Sequence, residues 1–88
     1  MADVVIGAAW GRRISARRKA LGFSQARLAD LLELAQPTIS KIERGALIPN
    51  DDLKWRLAGA LGMPLDELFA YPAFTPPFTP PNRERVAS

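Results

Sequence analysis

The sequence predicts a small all-α domain of five short helices. Apolar residues recur at helical spacing in five segments, and glycine, proline, serine or asparagine separates each segment from the next. No segment alternates apolar and polar residues over the length of a strand. With 88 residues, 48% of them hydrophobic, the chain suits one compact domain and is too short for a deeply enclosed active site.

The first helix is expected from about Gly7 to Ala20. Trp10, Ile14 and Leu21 fall on one stripe at helical spacing, and we expect this stripe to face the core. Gly22 follows, at a position where glycine commonly ends a helix.

The second and third helices are predicted to be short and separated by a tight turn. Ser24 caps the second helix, which continues over about 25–32. A break at 33–35 follows, and the third helix begins near Pro37, because the N–H that proline lacks has no helical partner in the first turn. Gly45 ends the third helix.

The last two helices have equally clear ends. Asn50 caps the fourth helix and Gly62 ends it, and a short fifth helix begins near Pro64. The residues expected to face the core in helices two to five share a spacing of three or four: Leu28, Ala29, Leu32, Ile39, Ile42, Leu53, Leu57, Leu61, Leu65, Leu68 and Phe69.

A change in composition divides the chain into a folded domain at 1–71 and a proline-rich tail at 72–88. The tail repeats Phe-Thr-Pro-Pro at 74–77 and 78–81. Proline fixes φ and has no N–H, so we expect an extended, polyproline-like segment. Three interpretations remain open: a disordered end, a segment that docks on its own domain or on a partner subunit, and a ligand for another protein.

The composition excludes several classes of chemistry. The chain has no histidine and no cysteine, which excludes Ser-His-Asp and Cys-His catalysis, zinc sites built from these residues, and disulfides. Asp66 and Glu67 lie side by side but have no predicted metal partner. We therefore expect no enzyme activity, catalytic residue, metal or cofactor. No apolar stretch approaches the roughly 20 residues that a membrane span needs, which favours a cytoplasmic protein without a membrane partner.

Positive charge is concentrated in the first half of the chain. The formal net charge is +3, but residues 10–44 carry a local +5, whereas residues 45–88 carry −1. Such a concentration predicts a polyanionic partner better than net charge does.

The region from Phe23 to Gly45 predicts two short helices around a tight turn, which is the helix-turn-helix arrangement. Here the sequence resembles the Cro/repressor (Xre-type) helix-turn-helix family. The matching segments are 21–25, 28–29, 38–45, Pro49, 57–58, 60–62 and 65–69, and the resemblance covers about 8–70. It implies a lambda-repressor-like five-helix domain that binds double-stranded DNA, usually as a two-fold dimer, with the third helix in the major groove.

The resemblance also implies roles for individual residues. The candidates for base contact on a recognition helix at about 36–44 are Gln36, Pro37, Ser40, Lys41 and Arg44. The candidates for phosphate contact are Ser24, Gln25, Arg27, Arg13 and Thr38. Gln25 matches a position that also steadies the recognition helix. Arg18 and Glu43 match a pair that forms an internal salt bridge.

Three residues depart from the family pattern. Glu33 occupies the turn position that usually holds a left-handed glycine, which predicts a wider turn or a longer second helix. Ala35 replaces the usual Ser or Thr cap of the third helix, and Pro37 is expected to compensate. Lys54 replaces a leucine, so the fourth helix is expected to pack differently.

Trp10 and Trp55 are interpreted as core or dimer-interface aromatics.

The function expected from these features is a DNA-binding transcriptional regulator, in particular a repressor that binds an inverted repeat as a homodimer. Phage repressors and restriction-modification controllers are candidate contexts. The alternatives are an antitoxin, which would also bind a protein through its tail, and a protein-binding adaptor that has lost DNA contact. An adaptor would tend to lose the exposed donors of the third helix, and here they persist. The fifth helix, with or without the tail, is the expected dimer interface.

Overall fold

The computed structural model describes residues 2–71, and these residues form five helices in the expected order. Their bounds are Ala2–Ala20 (α1), Gln25–Leu32 (α2), Gln36–Glu43 (α3), Asp51–Leu61 (α4) and Leu65–Leu68 (α5). The all-α prediction is confirmed. The predicted tail lies outside the described residues.

Helix α1 begins five residues earlier than predicted. Gly7 was expected to start the helix, but it lies within α1 where the helix passes the segment after α3. A Cβ at this position would lie 2.7 Å from Cδ1 of Ile48 and 3.0 Å from the carbonyl oxygen of Gly45. The glycine therefore reflects close packing between two segments, not the end of a helix.

One hydrophobic core joins all five helices. Its buried members are Trp10, Ile14, Leu28, Ala29, Leu32, Ile39, Ile42, Leu57, Ala58, Leu61, Leu68 and Phe69. The prediction for Leu21 was wrong, because this side chain is 40% exposed. Arg18 continues the buried stripe of Trp10 and Ile14 instead, one helical turn after Ile14, and is 7% exposed.

The backbones of α1 and the end of α3 are in direct contact, with no side chain between them. A Cβ at Gly11 would lie 2.7 Å from the carbonyl oxygen of Ile42 and would overlap the carbonyl group of Glu43. Gly45 has a φ of 80° and ends α3, and a Cβ there would lie 2.8 Å from the backbone nitrogen of Ala8. Backbone atoms cannot rotate away as side chains do, so only glycine at these positions permits this packing distance.

A buried ion pair joins α1 to α3 at the same contact. The Nε of Arg18 donates to Oε2 of Glu43 at 2.6 Å, and its Nη2 donates to Oε1 at 3.0 Å. The two side chains are 9% and 6% exposed. The Nη1 of Arg18 also donates to the carbonyl oxygen of Phe23 at 2.8 Å, ahead of α2. The predicted Arg18–Glu43 pair is thus present, as a bidentate and nearly solvent-free contact.

Opposing influences act on the Glu43 carboxyl. Burial would raise its pKa, but hydrogen bonds from Arg18 and Gln25, together with the positive charge of Arg18, hold the pKa below its ordinary value of 4.5. The carboxylate is therefore the form that the fold stabilises.

Lys54, the residue in place of the usual leucine, lies over the aromatic end of the core. Its Nζ lies 4.5 Å from the centroid of the Trp10 ring and 5.8 Å from that of Phe69. The rings of Trp10 and Phe69 meet edge to face at 5.3 Å. The lysine therefore covers the aromatic end of the core with its stem and places its ammonium over an electron-rich ring face.

Replacing Gly11 with alanine should lower the free energy of unfolding by roughly 1–3 kcal/mol, because the added methyl group overlaps the α3 carbonyl groups. Gly59→Ala is the matched control. Gly59 lies within α4 with nothing within 4 Å of its Cβ position, so alanine should raise stability by about 0.5–1 kcal/mol. Urea unfolding monitored by circular dichroism measures both. Equal effects would contradict the close α1–α3 contact.

Replacing Glu43 with glutamine should lower the free energy of unfolding at neutral pH by about 3 kcal/mol, because it leaves the Arg18 cation buried without its counter-charge. The pKa of Glu43 is lower in the folded state, so its contribution is complete above pH 4.5 and is lost as pH falls through the folded-state value. The difference between wild type and Glu43→Gln should therefore shrink in acid.

Urea unfolding at neutral and acid pH measures this difference. Asp30→Asn, which changes an exposed carboxylate on α2, is the control and should have little effect at either pH. A Glu43→Gln penalty that is the same at both pH values would show that the carboxylate charge is not what stabilises the fold.

Candidate nucleic-acid interface

Helix α3 separates an apolar face from a polar one. Ile39 and Ile42 are buried. The side chains predicted to contact bases share the opposite, outward face: Gln36, Pro37 and Lys41 are exposed, Ser40 is half-buried, and Arg44 is exposed just after the helix. The spacing in the sequence thus brings all five candidates to one surface.

The start of α3 depends on a proline in place of a capping side chain. Ala35 is the N-cap residue and has no side chain that can accept a hydrogen bond, while Pro37 lies in the first turn. The N–H of Thr38 donates to the carbonyl oxygen of Ala35 at 3.0 Å. Proline removes one of the N–H groups that the missing cap would leave unsatisfied, so Pro37 lies at a position where it can compensate for the missing cap.

The turn between α2 and α3 is tight. Glu33 itself adopts the left-handed conformation, with φ 57° and ψ 44°. The N–H of Leu34 donates to the carbonyl oxygen of Ala29 at 2.8 Å and closes the turn. The predicted wider turn or longer second helix is therefore wrong. A non-glycine residue accepts about 1 kcal/mol of backbone strain here, and the flanking Leu32 and Leu34 pack on the core.

Gln25 connects the ion pair to the outward face of α3. Its Nε2 donates to Oε1 of Glu43 at 3.0 Å. Its Oε1 accepts a long hydrogen bond of 3.5 Å from Nε2 of Gln36. Since a carboxylate only accepts hydrogen bonds, Glu43 fixes which end of the Gln25 amide faces it. Gln25 thus contacts both ends of α3, which agrees with the expectation that it steadies this helix.

The first turn of α2 lies beside α3 and presents free donors. The Oγ of Ser24 accepts from the N–H of Arg27 at 3.0 Å, and the carbonyl oxygen of Ser24 accepts from Leu28. Among the described residues, no acceptor is bonded to the N–H groups of Gln25 and Ala26. These two N–H groups therefore have no partner within residues 2–71, and the side chain of Arg27 in the same turn is exposed.

Ser40 and Arg44 act as a pair. The Nη1 of Arg44 donates to Oγ of Ser40, one helical turn earlier. This contact holds the guanidinium group along the outward face of α3, beside Lys41.

The side chain of Arg13, on α1, contacts the end of α5 and not α2 or α3. Its Nη1 donates to the carbonyl oxygen of Ala70 at 2.7 Å and to that of Leu68 at 3.3 Å. Neighbouring Arg17 is used similarly: its Nε donates to the carbonyl oxygen of Leu61, at the end of α4, at 2.8 Å. These guanidinium groups stabilise helix C-termini. The placement gives no support to the predicted phosphate contact of Arg13.

The roles of Gly11 and Trp55 could not be read from the sequence. Gly11 gave no signal beyond being a glycine inside a helical pattern, which often marks close packing. Of the two tryptophans, Trp10 is a core residue as predicted, whereas Trp55 is 66% exposed on α4. Exposure of so large an aromatic ring leaves the interface interpretation for Trp55 and excludes the core interpretation.

Two features are absent from residues 2–71. No group of three or more acidic side chains is positioned to hold a metal ion. No helix in this range combines the length and apolar character that crossing a bilayer requires.

Comparison with known proteins places this geometry in a family. The chain matches the family model described as Helix-turn-helix over residues 14–68, more than half of its length. It is 37% identical over 59 residues to YazB of Bacillus subtilis, described as an uncharacterised HTH-type transcriptional regulator. That alignment covers 67% of this chain and 86% of YazB.

Solved structures share the fold. The restriction-modification controller protein C.AhdI of Aeromonas hydrophila is 35% identical, with a TM-score of 0.68, over 78% of this chain and 100% of that one. The clp gene regulator ClgR of Corynebacterium glutamicum, 22% identical, has a TM-score of 0.69 over 72% of this chain and 67% of its own, which shows a common fold only. The matched helices include the outward-facing α3 and its support, and the chain thus belongs to the Xre-type helix-turn-helix family of DNA-binding transcription regulators.

Proposed function

We propose that the protein is a sequence-specific repressor that binds an inverted-repeat operator as a homodimer, with α3 in the major groove. The observation that carries this proposal is the outward face of α3, where the polar donors Gln36, Lys41 and Arg44 meet on a helix that the buried Arg18–Glu43 pair holds in place. A protein-binding adaptor that had lost DNA contact would have no use for this donor face. An antitoxin would use the same face on an operator and would also bind a protein partner through its tail.

The side chains on α3 suit base recognition. A glutamine amide pairs bidentately with adenine, and lysine or arginine pairs with the O6 and N7 atoms of guanine. Gln36 and Lys41 have exposed side chains, and Arg44 is held beside Lys41 by Ser40. Pro37 offers an apolar surface to a thymine methyl group.

The first turn of α2 suits the phosphate backbone. The N–H groups of Gln25 and Ala26, together with Arg27, point to one bound phosphate per subunit. Ser24 and Thr38 complete the proposed phosphate contacts. Such contacts would fix the register of the domain on DNA, and the contacts of α3 would then select the sequence.

The small size of the domain supports the proposed dimer. One module of this kind covers roughly 600–1,000 Å² of protein surface on DNA, which is modest for a specific regulator. A two-fold dimer reads two half-sites, whose centres must lie about 10 bp apart. The exposed Trp55 on α4 supports an interface that includes α4 as well as the expected α5. The similarity to a restriction-modification controller protein supports a regulatory role.

The decisive experiment is selection of binding sites from a random duplex library, followed by titration at two salt concentrations. An inverted repeat with half-sites about 10 bp apart would support a dimeric operator-binding protein. A single unrepeated site would retain DNA recognition and exclude the two-fold dimer. Weak, salt-sensitive binding without any enriched sequence would exclude sequence-specific recognition.

Replacing Lys41 with alanine should relax base preference at one position of each half-site, since a base contact of this kind contributes about 1–3 kcal/mol of discrimination. Lys19→Ala removes the same charge from α1 and should leave base preferences unchanged. The measurement is affinity for the selected site and for its single-base variants. Equal loss on specific and random DNA would assign Lys41 to the phosphate backbone instead.

The side-chain amide of Gln25 has a second Nε2 hydrogen besides the one donated to Glu43, and the proposal assigns this hydrogen to a phosphate. Replacing Gln25 with alanine removes it and keeps the backbone N–H, so binding to every sequence should weaken by roughly fivefold, the effect of one lost hydrogen bond of about 1 kcal/mol. Gln36→Ala removes the same amide from the neighbouring position and should change base preference instead. Competition between the selected operator and random duplex separates the two outcomes. Unchanged affinity of Gln25→Ala at every salt concentration would remove the Gln25 side chain from the phosphate-contacting set.

A further inference from the structure

A groove on the side of the domain has no role in the proposed DNA contacts. It has a volume of about 440 Å³ and lies between α1 and the turn that joins α4 to α5. Ala16, Met63 and Pro64 give it an apolar lining, and Arg13 and Arg17 border it on α1. Its size is within the range of sites that bind small ligands or side chains.

The described chain ends at the edge of this groove. The indole Nε1 of Trp10 donates to the carbonyl oxygen of Ala70 at 3.0 Å, and Arg13 donates to the same oxygen at 2.7 Å. The ring of Tyr71 lies 5.8 Å from that of Trp10. Arg13 therefore both lines the groove and holds the backbone from which residues 72–88 continue.

Distances along the chain allow an aromatic residue of the repeat to reach the groove. Helix α1 rises about 1.5 Å per residue, so Ala16 lies roughly 9 Å further along the helix than Trp10. An extended, proline-rich segment advances about 3.1 Å per residue. The chain passes α1 from Arg17, beside Leu61, towards Trp10, beside Ala70, so the segment must turn back after Tyr71 to follow the groove. Phe74, three residues after Tyr71, spans the roughly 9 Å to Ala16 only at full extension. Phe78, seven residues after Tyr71 and about 22 Å along such a segment, spans it with length left for the turn.

The chemistry of the groove suits a phenylalanine. A methionine thioether such as that of Met63 makes favourable contacts with aromatic rings. Arg13 and Arg17 line the groove, and backbone carbonyl groups hold their guanidinium groups, so an aromatic ring in the groove would lie near two fixed cations. A segment attached at the rim also has an effective concentration that a separate protein does not match.

We propose that the Phe-Thr-Pro-Pro repeat at 74–81 docks on its own domain in this groove, with a phenylalanine ring against Met63. The docked segment covers the apolar lining that the five helices leave open. This inference is independent of the proposed DNA contacts, because it concerns α1, α4 and α5 and uses no residue of α3.

Methyl spectra of the full chain with 13C-labelled methionine test this docking. The chain has two methionines, so Met63→Leu assigns the two signals. Replacing both phenylalanines in a Phe74→Ala/Phe78→Ala variant should shift the Met63 methyl signal, because the ring current of the docked phenylalanine is lost. Thr75→Ala/Thr79→Ala changes the same repeat without removing an aromatic ring and should leave the signal in place. An unchanged signal in the phenylalanine variant would overturn the proposal.

A mixing experiment separates docking within one chain from docking between chains. Labelled wild-type protein is unfolded and refolded with a tenfold excess of the unlabelled phenylalanine variant. Docking within the chain predicts that the Met63 signal keeps its wild-type position. Movement to the position seen in the variant would show that the segment binds a second copy, which would also overturn the proposal.

Discussion

Glu43 connects three parts of the domain through the two oxygens of one carboxylate. Arg18 reaches it from α1 and Gln25 from α2, while Glu43 itself is the last residue of α3. The contact is nearly free of solvent, so the charge of each partner is needed to balance the other. The orientation of α3, and with it the surface that its outward residues form, therefore depends on an interaction at its inner end.

Two glycines beside this ion pair determine how closely α1 and α3 can approach each other. Gly11 and Gly45 let the backbones of α1 and α3 approach to a distance that any side chain would prevent. A domain of this size buries a smaller fraction of its surface than a larger one does, so close backbone contacts and the buried ion pair add to what its core supplies. The contact between α1 and α3 is therefore stabilised by backbone packing and an ion pair as well as by buried apolar residues.

Much of this arrangement follows from local sequence rules. The helix order and the ends of α2, α3 and α4 were predictable from Ser24, Pro37, Asn50 and Gly62, because caps and breakers act within one turn. The left-handed Glu33 was not, since propensity disfavours it and only the packing of its neighbours outweighs the cost. The partners of Arg13 were equally unpredictable, because they come from backbone carbonyl groups more than fifty residues away. The proposed roles at bases and phosphates remain predictions.

Three arginines donate hydrogen bonds to carbonyl oxygens at helix C-termini, which limits the contacts that they can make with a polyanion. Arg17 and Arg56 donate to carbonyl oxygens at the ends of α4 and α2, as Arg13 does after α5. Each of these arginines keeps its charge, but the N–H groups bound to carbonyl oxygens are not available to a phosphate. Counting basic residues would therefore overstate the number of direct phosphate contacts that this domain can make, while its long-range attraction to a polyanion still follows its net charge.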